Sequence, residues 1–463
     1  MFFRQILHDD LGCASYVIAD GGQSGRDRSQ VGDEDYLALA QEQGLQITHI
    51  LETHNHADHV SGRGRLHDAT GATIHVSADA GVEYEHEPLA DGEAVEFGQV
   101  RIVARATPGH RPEHTAYAVE DRSRGETPWR LLTGDSLFVG DVARPDLAVE
   151  PEKGARDLYR SLRSLDRLDD YVEVWPGHIC GSLCGGAGMS ETPGSTLGFE
   201  RRFNRFLKID NANEFVRELT RDLAPQPPNF KRIVELNRSP LLTETAQLDA
   251  VTPARLQQLL EEGATLIDGR EPREFDAAHI PGSINVTMVK AAVGTRAAWV
   301  VEPNTEVVVT AAGELDAKRL ALMLEAVGFR QLRGYLAGGI SAWQAADLPT
   351  SATEAIEVAT LAERLKAEEV VLLDVREQDE WEDGHLEGSL HLPFHELRDG
   401  VPAELRAAAA QKPLAVACSA GNRSSLAASL LRRHGVHAVQ HVTGGGVEDL
   451  TEHGIELTEE EER

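Results

Sequence analysis

The run Thr53-His54-Asn55-His56-Ala57-Asp58-His59 packs three imidazoles and a carboxylate into six residues. It follows the stretch Ile47 to Leu51, whose apolar residues, interrupted by Thr48 and His49, predict a buried strand. Side chains of this kind lose solvation and repel one another if they merely pack. They make sense together as ligands of a divalent transition metal, and the loop at the end of a strand is a rigid place to mount them. Three later segments repeat the pattern of strand, tight turn, then His or Asp. Val100 to Ala106 leads to His110, Leu131 to Thr133 leads to Asp135, and Tyr171 to Trp175 leads to His178. A chain with this arrangement must fold so that four strand ends converge on one pocket.

The second half carries a duplication. Leu266-Ile-Asp268-Gly-Arg270-Glu271, Glu274-Phe275 and His279-Ile-Pro-Gly-Ser-Ile284 recur as Leu372-Leu-Asp374-Val-Arg376-Glu377, Glu380-Trp381 and His385-Leu-Glu-Gly-Ser-Leu390. The offset of about a hundred residues is too long for a solenoid repeat and suits a duplicated domain. Each copy goes on to an apolar strand, a glycine loop and a helix: Val307 to Gly313 in the first, and Leu414 to Ser424 in the second, whose helix is expected over Leu426 to Arg433. Both then reach a Gly-Gly pair, Gly338-Gly339 and Gly444-Gly445. The breakers Pro225 to Asn229 and Leu348 to Ser351 suggest domains at 1–240, 241–350 and 351–463.

The first of these resembles the metallo-β-lactamase superfold on the positions His54, His56, Asp58, His59, His110, Asp135 and His178. The resemblance implies an αββα sandwich with the metal at one edge. Hydrolases of this fold commonly use two metals and all seven ligands. The persulfide dioxygenase branch holds a single iron through three, which here would be His54, His110 and Asp135. That set, two imidazoles and a carboxylate, suits non-haem iron(II). His56, Asp58, His59 and His178 would then line the pocket or hold a second metal. Gly134 to Leu147 with Arg144 and Asp146, Thr107 to Thr115 with His114, and Gly177 to Gly185 with Cys180 and Cys184, followed by Leu197 to Phe203, resemble the dioxygenase branch and its fusions. An Arg144–Asp146 pair is expected to brace Asp135.

The duplicated half is similar to rhodanese-like domains, which implies two doubly wound α/β units. In that family a nucleophilic cysteine ends a central strand, and Cys418 occupies the position. Backbone N–H groups of the loop Ser419, Ala420, Gly421, Asn422, together with Ser424 and the following helix N-terminus, favour the thiolate, the form that attacks sulfur. Arg423, spaced as C-x4-R, adds positive charge for an anionic substrate. Aligning Gly313 with Gly421 puts Thr310 where Cys418 stands, and Glu314 and Asp316 make that loop acidic. The first copy is therefore expected to be inactive in sulfur transfer. Asp449 stands where the first copy has Trp343, a difference read as local packing.

Cys13 falls in a predicted early strand and reads as core. Cys180 and Cys184 leave three readings open: a disulfide, a metal site or a persulfide shuttle. Four cysteines in 463 residues do not form a disulfide framework. They fit a reducing cytoplasm, as does an N-terminus without an export signal, and no apolar run is long enough to span a membrane. The net charge of −31, with an acidic tail at Glu459 to Glu462, argues against nucleic acid. The sequence leaves the oligomeric state open, a homo-oligomer such as a dimer or tetramer being compatible with it. The function expected is oxidation of a glutathione or coenzyme A persulfide by O2 on one iron(II) per chain, releasing sulfite, joined to sulfur transfer through Cys418 that makes or uses thiosulfate. A thioester hydrolase with one or two zinc ions is the alternative.

Overall fold

The computed structural model describes residues 1–8, 10–21, 23–27 (backbone), 34–180, 182–186, 188–221, 223–289 and 293–458; the acidic tail lies outside the described residues. The chain divides into two compact units, one built on Met1–Thr245 and the other on Ala246–Val289, Val293–Glu325 and the segment from Phe329 onward. Among the described residues no helix is long and apolar enough to cross a membrane.

Two six-stranded sheets form the first unit. In one, Phe2–His8, Cys13–Asp20, Gln23–Asp27, Gln46–Leu51, Thr73–Ser77 and Glu87–Leu89 lie side by side in chain order. In the other, Ala94–Phe97, Val100–Ala106, Thr115–Asp121, Arg130–Gly134, Glu173–Pro176 and Ser195–Thr196 do the same. Successive side chains of a strand point to opposite faces, and both sheets are covered twice as a result. Tyr16 and Ile18 meet Tyr117, Val119 and Leu132 between the sheets. Val17, from the first sheet's other face, packs with Tyr36 and Leu66 of the helices Glu34–Gln43 and Arg63–Thr70. Ala116, Ala118 and Leu131, from the outer face of the second sheet, pack with Leu158 and Phe215 of the helices Pro151–Ser164 and Ala212–Thr220. The layers run α, β, β, α.

The second unit holds two five-stranded, all-parallel sheets. Across the first the strands run Ala250–Val251, Leu332–Leu336, Val307–Thr310, Thr265–Asp268, Ile284–Asn285; across the second they run Glu354–Glu357, Val439–Thr443, Leu414–Ala417, Val371–Asp374, Leu390–His391. In both, the order by position in the chain is first, fifth, fourth, second, third, so the duplication read from the sequence is a duplication of topology. Parallel strands need both faces covered: Ala415 and Ala417 pack with Leu361 and Ala362 of the helix Val358–Lys366, while the buried Leu414 and Val416 alternate to the opposite face.

The recurring phrase is scaffold. Arg270 and Arg376 fold back over Asp268 and Asp374, each donating from Nε and Nη2 to its aspartate and from Nη2 to a carbonyl, of Ala278 or Gly384. His279 and His385 each stack on the aromatic ring four residues earlier, at 4.1 and 3.5 Å between centroids, and share the Nδ1 proton with that residue's carbonyl.

Candidate active sites

The four predicted strand ends converge. Gln46–Leu51 ends before His54, Val100–Ala106 before His110, Arg130–Gly134 before Asp135 and Glu173–Pro176 before His178, and all four side chains are buried. Ligand atoms of His54, His110 and Asp135 all lie within 4.8 Å of one another. Asp135 Oδ2 is 3.8 Å from His54 Nε2 and 3.6 Å from His110 Nε2, too far for hydrogen bonds. Both imidazole nitrogens are buried and make no hydrogen bond, a costly state unless a cation sits between them. Burial, and for His54 then His56, holds both imidazoles below their ordinary pKa. They are neutral, as metal ligands must be. The residues present fit a divalent metal.

Each of the three is aimed by a neighbour. His54 Nδ1 meets Thr53 Oγ1 at 2.9 Å. His110 Nδ1 donates to the Arg144 carbonyl at 3.2 Å, leaving Nε2 as the acceptor. The Asp135 N–H donates to His114 Nε2 at 2.9 Å, so the other His114 nitrogen carries the proton and donates to Thr107 Oγ1 at 2.8 Å. Gly134, at φ +52°, makes this approach feasible: a Cβ there would lie 2.7 Å from His114 Nε2. Arg144 does pair with Asp146, Nε–Oδ1 at 2.7 Å and Nη2–Oδ2 at 2.8 Å. The brace expected on Asp135 acts on His110, through the Arg144 carbonyl.

The remaining four residues of the set divide. His56 Nε2 is 3.0 Å from Glu52 Oε2. Burial would raise the Glu52 pKa, but His56 and Arg63 outweigh it and hold the carboxylate ionised. His178 Nε2 lies 2.8 Å from Asp58 Oδ2 and His178 Nδ1 2.8 Å from Asp135 Oδ2, with His59 Nδ1 3.2 Å from Asp58. Cys13 is buried in its strand as expected and also borders this group: its Sγ is 3.1 Å from His178 Nε2, and Cys13, Asp58 and His178 form a second group with metal-ligand spacing, as do His56, Asp58 and His59. Cys180 is exposed, Cys184 is buried, and neither is in a disulfide, which removes that reading. Cys184 Sγ lies within 4.8 Å of ligand atoms of Asp135 and His178.

A residue missed in the sequence holds the histidine loop in shape. Asn237, on the helix Phe230–Arg238, donates to the carbonyls of His56 and His59 at 2.9 and 2.8 Å and accepts from the Ser61 N–H at 2.9 Å.

In the second unit Cys418 follows the strand Leu414–Ala417 and is 2% exposed. Its Sγ accepts the Gly421 N–H at 3.1 Å and lies 3.5 Å from Ser424 Oγ. The helix starts at Asn422, four residues before its expected beginning, so its N-terminus abuts the sulfur. Gly446 admits the loop: a Cβ there would sit 2.4 Å from the Cys418 carbonyl. Ser419 Oγ donates to Glu380. Arg423 is occupied as well: Nη2 donates to Glu380 Oε1 at 2.7 Å and to Ser419 Oγ, and Nη1 donates to Glu380 Oε2. Ser424 Oγ is 3.2 Å from His441 Nε2, whose Nδ1 is 2.6 Å from the buried Asp276 Oδ2 of the first repeat.

Strand register corrects the equivalence drawn for that repeat. Asp268 pairs with Thr310, and Asp374 pairs with Ala417, so Ala311 stands where Cys418 does. The loop before the helix is one residue shorter in the first copy, and a glycine-to-glycine alignment slips by one. The absence of the thiol stands.

A metallo-β-lactamase superfamily model matches residues 12–178, and a rhodanese-like domain model matches twice, at 252–346 and 357–450. The chain joins a metallo-β-lactamase domain to two rhodanese-like domains. That architecture matches a persulfide dioxygenase–rhodanese fusion. The mitochondrial persulfide dioxygenase of Bos taurus is 28% identical over 202 residues, covering 43% of this chain and 71% of the relative. A hydroxyacylglutathione hydrolase of Anaeromyxobacter dehalogenans is 29% identical over 222 residues, covering 42% of this chain and 82% of that protein. The crystal structure of a metallo-β-lactamase from Staphylococcus aureus superimposes with a TM-score of 0.65 at 28% identity, over 72% of this chain and 98% of that one. In this fusion, the side chains around the centres whose part the sequence did not show are Glu52 and Asn237 around the histidine loop, and Glu380 and His441 around Cys418.

Proposed function

We propose that the fusion oxidises a low-molecular-weight thiol persulfide, of glutathione, coenzyme A or a similar carrier, with O2 in its first domain (residues 1–240). Sulfane sulfur would move through Cys418 in its last (351–463). The observation that carries the reading is the separation of ligands in the first centre: His54, His110 and Asp135 face one point with two imidazole nitrogens unsatisfied, while His56 is committed to Glu52. Two imidazoles and a carboxylate on one face are the donor set of non-haem iron(II) oxygenases. Iron(II) held there, one per chain, would supply one-electron chemistry with O2 and open positions for substrate.

The protein's own residues do the rest. Thr53, Arg144 and His114 fix the three donors, and burial excludes water from them. Cys184 and His178 border Asp135 and would line the persulfide side. The balance is thiol persulfide plus O2 plus water giving thiol, sulfite and two protons. At Cys418, the thiolate would attack the outer sulfur of thiosulfate; that S–S bond breaks, the cysteine persulfide S–S bond forms, and sulfite leaves with the electron pair. The reverse makes thiosulfate from sulfite. The sum is a route for clearing sulfide-derived persulfide.

A zinc thioester hydrolase is the second reading, favoured by the Cys13–Asp58–His178 group and by the hydrolase relative. Metal content and O2 uptake, measured together on protein purified without oxygen and given glutathione persulfide, decide between them. Iron with persulfide-dependent O2 uptake and sulfite release supports the dioxygenase. Zinc with thioester cleavage and no O2 uptake overturns it.

A further inference from the structure

Arg423 lies within the field of Cys418, but its N–H groups are engaged elsewhere. That guanidinium is locked in a two-pronged pair with Glu380 and also holds Ser419 Oγ, so its charge is largely spent. The neighbouring Arg376 is spent on Asp374 and Glu448. Yet a thiosulfate or sulfite brought to a thiolate is an anion approaching an anion, and its oxygens need a donor with free valence.

The first repeat carries such a donor on the helix Val293–Val300. Trp299 of this helix packs its ring, tilted by 30°, against His395 at 4.5 Å between centroids. His395 Nε2 in turn contacts Glu377, the residue that caps the helix carrying Glu380. Arg296, one turn before Trp299, is on the same face of its helix and so is directed to the wall that holds Arg423. Its Nη1 is buried and makes no hydrogen bond. Burial first, and then Arg423, lower its pKa, while Cys418 raises it. Both groups of the sulfur-transfer loop are therefore within its electrostatic reach. A buried guanidinium nitrogen without a partner costs stability, and a ligand that accepts from it recovers the cost.

We infer that Arg296, supplied by the repeat that lacks a cysteine, is the anion-recognising residue of the Cys418 site and binds the oxygens of a sulfur oxyanion such as thiosulfate or sulfite. The planar fork of an arginine suits two oxygens of one sulfonate-like face. The first repeat then completes the active site of the second. This inference rests on Cys418 being the sulfur-carrying nucleophile.

The test uses the full-length chain and two reagents of similar size, iodoacetate (anionic) and iodoacetamide (neutral), with alkylation followed at the Cys418 peptide by mass spectrometry. Arg296→Ala should slow iodoacetate about 10-fold relative to iodoacetamide, with the iodoacetamide rate preserved, and Arg296→Lys should retain most of the preference. In thiosulfate-to-cyanide transfer, Arg296→Ala should raise KM for thiosulfate about 10-fold while leaving kcat within about threefold. An unchanged reagent ratio in Arg296→Ala overturns the inference. So does an equal loss for both reagents, which marks a structural role. Cys418→Ser tests the underlying reading by itself: transfer that survives it removes Cys418 as nucleophile, whereas the alkylation ratio does not depend on sulfur transfer at all.

Discussion

His54 and His56 are two residues apart and chemically identical, and their surroundings separate them. His54 presents an unsatisfied Nε2 to Asp135, and His56 gives the same atom to Glu52. His54→Ala is expected to abolish iron binding. His56→Asn is expected to keep the iron and weaken it by about 10- to 100-fold, as changes behind a ligand do. Anaerobic reconstitution with iron(II) and chelator competition measure both; equal loss in the two variants would count against a three-ligand centre. In the other unit, Glu380 is half-buried, and although burial would raise its pKa, Arg423 brings it down to about 2 from an ordinary 4.5. A depressed carboxyl contributes stability above its unfolded pKa and loses it as pH falls through the folded value. The Glu380–Arg423 pair should therefore stabilise fully above pH 5 and fade between pH 4.5 and about 2. With a side chain 32% exposed, screening leaves about 1 kcal/mol of that. Thermal unfolding of wild type and Glu380→Gln across this window should converge as the pH drops, and a gap independent of pH would rule the pair out as its cause.

At the level of elements, the helix Phe230–Arg238 does for the histidine loop what no residue of the loop does for itself. Asn237 ties two of its carbonyls and one N–H. Asn237→Ala leaves those groups buried without partners and should cost about 2–4 kcal/mol, seen as an earlier denaturation transition of metal-free protein, together with weaker iron retention. The sequence offered no sign of this, because an asparagine late in a short helix looks like any polar surface residue; its partners are 176 or more positions away in the chain. What could be read were features carried by local pattern. Strand ends followed by His or Asp were legible because each strand and its ligand are adjacent in sequence, and all four meet in the structure. The repeated Asp-x-Arg phrase was legible as duplication, but its meaning was not: Arg270 and Arg376 brace their own aspartates. The slip from Ala311 to Thr310 has the same origin. Hydrogen-bond register fixes equivalence between repeats, and a loop shortened by one residue hides it from the sequence. Cys13 is the buried strand residue that its context predicts, but an apolar strand context says nothing about the approach of His178, 165 residues later.

At the scale of the whole molecule, the two proposed chemistries would share an intermediate without sharing a residue. The ligands of the first centre all precede Thr245, and Cys418 with its loop lies in the second unit. On the proposed function, keeping both on one chain would raise the effective concentration of sulfite near a sulfur carrier, and it would also make the halves separable by mutation. Cys418→Ser should leave persulfide-dependent O2 uptake within about twofold of wild type, since sites with no shared partners act independently, and should convert the product from thiosulfate to free sulfite. His54→Ala should do the reverse: O2 uptake disappears, and sulfur transfer from thiosulfate to cyanide continues. Oxygen-electrode traces with sulfite and thiosulfate resolved by chromatography read both variants in one experiment. If thiosulfate still accumulated in Cys418→Ser, it would be forming outside the second unit, by direct reaction of sulfite with persulfide, and the fusion would then have to be explained by something other than a shared sulfur intermediate.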